Sequence, residues 1–83
     1  MNELEKIKDA LKALQAIDGV KGCFLEEETG DILHVYTITC VANYNLDKQI
    51  FQEYAALEKR FPYVSFEFLI TSQPPSSMAE MVF

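Results

Sequence analysis

Apolar residues recur at helical spacing at the start of the chain: Leu4, Ile7, Leu11, Leu14 and Ile17 form one stripe, with charged residues between them. Ala10, Ala13 and Ala16 occupy helical positions at no cost in propensity. Asn2 and Glu5 have capping-box spacing, and Asp18-Gly19 ends the pattern with a residue that enters the left-handed region freely. The pattern predicts a helix over residues 3–17. At about four turns, it persists only if its apolar stripe is packed. The period then changes to two. GCFLEE and DILHVYTITCV are rich in β-branched and aromatic residues, and Thr29-Gly30 with Asp31 supplies a turn between them. With Thr29 and Gly30 as a two-residue loop, Leu25 faces His34, Phe24 faces Val35 and Cys23 faces Tyr36. A loop of three or four residues shifts this register.

A second helix is predicted over residues 46–60, capped by Asn43 or Asn45. Its stripe is Leu46, Ile50, Tyr54, Leu57 and Phe61, with Phe51 on a neighbouring line. Asp47 in the first turn and Lys59 and Arg60 in the last suit the helix dipole, and Pro62 stops the helix. From Tyr63 to Ile70 the alternation is clean: Val64, Phe66, Phe68 and Ile70 face one way, Tyr63, Ser65, Glu67 and Leu69 the other. The resulting order, α-β-β-α-β, predicts an α+β two-layer sandwich with two helices on one face of a three-stranded sheet. Residues 1–73 make one domain, and the Pro74-Pro75 tail over 74–83 can dock back through Met78, Met81, Val82 and Phe83. Strand order is left open.

Composition narrows the function classes. At 83 residues with 49% apolar content, the chain has one small core and is too apolar for intrinsic disorder. The polar start, MNELEKIKDA, has no apolar run behind it, and no stretch is long enough to span a bilayer. Thirteen acidic against seven basic residues give a net charge of −6, which argues against binding a run of phosphates. Two cysteines, Cys23 and Cys40, do not make a disulfide framework. A cytoplasmic protein with no membrane or nucleic-acid partner is predicted.

The hairpin carries apolar groups on both sides. Ile32, His34, Tyr36, Ile38 and Cys40 share one side of the second strand, and Leu33, Val35, Thr37, Thr39 and Val41 share the other. Two helices cover only one layer, so the second face is a candidate interaction surface, assigned to Ile32, His34, Tyr36, Ile38, Leu25 and Leu69. The role that follows is non-catalytic: a homo-oligomeric or accessory protein-interaction domain, partnered by a second copy or by another protein.

Reactive chemistry is sparse. Cys23 sits diagonally across from His34 in the two-residue-loop register, which makes a minimal thiol or hydrolytic enzyme the alternative. No oxyanion-hole sequence or third orienting group accompanies them. Cys23, His34 and Cys40 lack the close spacing of a zinc site, and Glu26, Glu27, Glu28 and Asp31 lack the alternation of a calcium loop. Gly19, Gly22 and Gly30 form no phosphate-binding fingerprint. The element order is shared with K-homology modules, which makes a nucleic-acid-binding module the lesser alternative, but a GxxG clamp is missing, and Tyr36, Phe66 and Phe68 read as core residues rather than stacking platforms. No catalytic residue, cofactor or metal ligand is assigned.

Leu33-His34-Val35-Tyr36-Thr37, then the second helix, then Phe61-Pro62-Tyr63-Val64-Ser65-Phe66-Glu67-Phe68, resembles a group of short uncharacterised bacterial proteins. Those proteins share an LHVWT-like strand, an acidic amphipathic helix and an FPxxxFxF strand. Tyr36 stands here where that pattern has Trp. The resemblance covers about half the chain and implies a bacterial source, with no substrate and no catalytic residue.

Overall fold

A computed structural model describes residues 3–28, 32–40, 43–75 and 78–83. The expected Asn2 cap and the Thr29-Gly30-Asp31 turn lie outside the described residues. Helix α1 (Glu3–Leu11) passes into a 3-10 stretch, Lys12–Ala16, so the single helix expected over residues 3–17 is wound more tightly in its second half. Leu11 and Leu14, three residues apart, are both buried there, which matches three residues per turn. Gly19 follows with φ of +102°, the left-handed conformation that an L side chain resists.

The strands are β1 (Val20–Glu28), β2 (Ile32–Thr39), β3 (Ser65–Thr71) and β4 (Glu80–Met81), with helix α2 (Tyr44–Arg60) between β2 and β3. The sheet order is β3-β2-β1-β4, with β2 and β3 parallel and the other pairs antiparallel. The sheet thus has four strands, not three. The addition comes from the C-terminus: Val82 N–H donates to the Cys23 carbonyl at 2.8 Å, and Cys23 N–H donates to the Phe83 carbonyl at 3.2 Å. These bonds satisfy backbone groups that the outer edge of β1 would otherwise present to water. Val82 and Phe83 pack against the core, whereas Met78 and Met81 stay exposed.

Of the two candidate caps for α2, Asn43 serves: its side-chain oxygen accepts from Leu46 N–H at 3.1 Å, and the helix begins at Tyr44. Leu46, Ile50, Tyr54, Leu57 and Phe61 are all buried, while Phe51 on the neighbouring line is exposed. With Ile7, Leu11 and Leu14 from the first helical stretch, they close over Cys23, Leu25, Leu33 and Val35 of the sheet.

The hairpin register differs from the two-residue-loop expectation. Glu28 pairs with Ile32, so three residues separate the strands, and Glu26 faces His34, Leu25 faces Val35 and Phe24 faces Tyr36. One residue of slip turns a whole strand over, because side chains alternate faces with period two.

Candidate functional site

The registers define the face that the helices do not cover. Residues paired across the sheet share a face, so rows run perpendicular to the strands. Leu69, Tyr36, Phe24 and Met81 form one row across all four strands. On one side of it lies Glu67–His34–Glu26, and on the other Thr71–Ile38–Gly22. Ile32 and Ser65 extend the face beyond the acidic row. Leu69 is 52% and Met81 67% exposed; Phe24, Ile32, His34, Tyr36 and Ile38 are half-buried by their neighbours in the sheet.

Five of the six residues assigned from the sequence, Ile32, His34, Tyr36, Ile38 and Leu69, therefore lie together. Leu25 does not. It pairs with Val35 and is buried beneath the helices, because the three-residue connection turns β1 over. Phe24 and Met81 take its place on the open face. The sequence signal for Phe24 was the apolar residue next to Leu25, once the longer loop is chosen. Met81 follows two prolines and carries no strand pattern to reveal it.

The polar groups of this face are joined to one another. His34 Nδ1 lies 3.4 Å from Glu67 Oε2. Tyr36 OH donates to Glu26 Oε1 at 3.2 Å, and the His34 and Tyr36 rings stack with centroids 6.2 Å apart and planes 15° from parallel. Each of the two rings is thus paired with a carboxylate on a neighbouring strand.

Cys23 belongs to the other face. It pairs with Thr37, not Tyr36, and is fully buried beneath α2, so it does not share a surface with His34. Burial pushes its thiol from 9.0 up to about 12, which keeps it protonated at neutral pH. The pairing on which thiol chemistry depended is absent from this geometry. Next to Cys23, Thr37 Oγ1 and Tyr54 OH share a hydrogen bond, and burial is the main cause raising the Tyr54 phenol above its usual range. A cavity of about 280 Å³ opens at the far end of the sheet, lined by Glu3, Leu4, Ile7, Glu27, Ile32, Leu33 and Val64. It contains neither Cys23 nor His34. Among the described residues no group of three metal-ligating side chains comes together, and no helix is long and apolar enough to cross a membrane.

No protein-family model matches the chain, and no curated protein matches it.

Proposed function

We propose that this protein is a non-catalytic, self-associating interaction domain whose open sheet face is the contact surface for a second copy. The observation that carries this reading is the row Leu69–Tyr36–Phe24–Met81, an apolar and aromatic band across the whole width of the sheet with no helix over it. The charge placement supports a second copy as the occupant. A two-fold axis along that row sets Glu67–His34–Glu26 of one protomer against Thr71–Ile38–Gly22 of its partner, so carboxylates meet neutral groups. An axis along β2 instead sets Glu67 of one protomer against Glu26 of its partner, which is repulsive. The net charge of −6 disfavours nucleic acid and non-specific contacts. Two free thiols and the likeness to short bacterial proteins fit a bacterial cytoplasm.

The test is the solution mass by light scattering for wild type and for Phe24→Lys/Met81→Lys. Both positions lie on the band, away from β3. The expected result is a halving of the wild-type mass with the circular-dichroism spectrum retained. An unchanged mass overturns the reading.

A further inference from the structure

The outer edge of β3 is a second open surface. Among the described residues, only β2 is paired with this strand, so its other side presents backbone N–H and C=O groups to solvent. Native edge strands usually carry guards: charged side chains, lysine above all, a proline, a bulge or very short length. Ser65–Thr71 has only Glu67. It is seven residues long, its register with β2 is uninterrupted, and Glu67 is its one charge.

The helix side of the same edge is aromatic. Phe66 stacks on Phe68 at 5.4 Å, Phe68 on Tyr54 at 4.0 Å, and Tyr54 meets Phe51 edge-on at 5.9 Å. This ladder leaves the core at Phe51, which is 56% exposed. Glu53, Ala56 and Arg60 share a crevice with Ala10 and Ala13 of the first helical stretch. At about 100° per residue, Phe51 then lies on the opposite flank of α2, the flank towards the β3 edge.

We propose that β3 pairs antiparallel with β3 of a second copy of this chain, about a two-fold axis through Phe68. This axis stands normal to the sheet and keeps the helices of both copies on one side. Registers of this kind are centred on a residue. Centring on Phe68 pairs the entire strand: Ser65 with Thr71, Phe66 with Ile70, Glu67 with Leu69, and Phe68 with its own copy. Hydroxyls meet at both ends, apolar groups meet in the middle, and the lone carboxylate faces leucine. Centring on Glu67 sets carboxylate against carboxylate, and centring on Leu69 leaves Ser65 and Phe66 beyond the end of the partner strand. This self-complementarity is the reason to name a second copy as the occupant.

The contact also enlarges the face of the preceding proposal, although it rests on different residues. Three strands of at least seven residues and the two-residue β4 give a flat footprint of roughly 350 Å², less than half the ~800 Å² per partner of a standard interface. Edge pairing joins two four-stranded sheets into one of eight strands and doubles that footprint.

The test uses Phe24→Lys/Met81→Lys as background, so that the open-face contact is already removed. That double variant is expected to be a dimer by light scattering. Adding Ser65→Lys/Thr71→Lys places lysine opposite lysine twice and is expected to halve the mass again. Adding Ser65→Lys/Thr71→Glu places opposite charges across both pairs and is expected to keep the dimer. Slow amide exchange along β3 accompanies the dimer and is lost in the monomer. A monomeric background variant, or equal masses for the two charge arrangements, overturns the proposal. Failure of the open-face reading looks different: Phe24→Lys/Met81→Lys then keeps the wild-type mass.

Discussion

The buried hydroxyl pair of Thr37 and Tyr54 offers a stability test that the helices and sheet pass or fail together. Thr37, on β2, is 0% exposed, and Tyr54, on α2, is 2% exposed. Each hydroxyl has the other as its partner. Tyr54→Phe leaves the Thr37 hydroxyl alone in an apolar site, and Thr37→Val does the same to the Tyr54 hydroxyl. An orphaned buried hydroxyl costs about 1–3 kcal/mol. The double variant removes both polar groups with little change in shape, and its cost is expected near 0–1 kcal/mol. The single costs sum to about 2–6 kcal/mol against about 0–1 kcal/mol for the double variant, so the coupling is at least about 1 kcal/mol, with the double variant more stable than the sum of the single costs implies. For 83 residues, each kcal/mol moves the melting temperature by about 6 °C, so the single variants fall well below wild type while the double variant returns towards it. Urea melts followed by circular dichroism, all at one protein concentration because association adds stability, measure the four corners of the cycle. Costs that add to within about 0.5 kcal/mol refute the pairing.

Two further outcomes follow from buried and strained positions. The folded Cys23 thiol holds its proton to about 12, against 9.0 for an ordinary thiol, so the unfolded state sheds that proton first. Stability is thus unaffected by this group below pH 9.0 and falls as pH rises towards 12, by up to about 1.4 kcal/mol per unit, with Tyr54 adding in the same direction from 10.0 upward. Urea midpoints between pH 8 and 10.5 should fall less steeply for Cys23→Ala than for wild type; equal slopes count against the buried thiol. Gly19→Ala forces a side chain into a φ of +102°, with its Cβ 3.0 Å from Leu46 Cδ2, and is expected to cost at least about 1–2 kcal/mol. An unshifted urea midpoint contradicts the strain.

The parts of this fold that can be read from the chain are those decided by local periodicity. The stripe from Leu46 to Phe61 repeats every three to four residues and is buried at every position. The alternation of Phe66, Phe68 and Ile70 against Glu67 and Leu69 fits β3 because each residue has only two faces to choose between. Loop length is different. Thr29-Gly30 and Thr29-Gly30-Asp31 are both acceptable turns by composition, yet they place Cys23 on opposite faces of the sheet. The same single residue decides whether Leu25 or Phe24 joins His34 and Tyr36. Strand β4 was hidden for another reason: Glu80–Met81 is too short for any pattern, and it is a strand only because β1 offers it an edge.

The two proposed contacts have an order imposed by area. An open face of roughly 350 Å² falls within the largest patches that ordinary monomers expose, about 300–600 Å², so one copy can remain dissolved with its face uncovered. The β3 edge, guarded by Glu67 alone, is a stronger demand, because its backbone groups find in a second strand the partners that water supplies less well beside Phe66 and Phe68. Once two copies are joined there, the continuous face of roughly 700 Å² exceeds what a stable particle leaves open, and stacking two such sheets becomes the next step. The two axes stand at right angles, one normal to the sheet at the β3 edge and one along the open face, and the assembly closes at four copies where the two axes intersect. Edge pairing before face stacking follows from these areas, and a dimer as the smaller species at low protein concentration is its consequence.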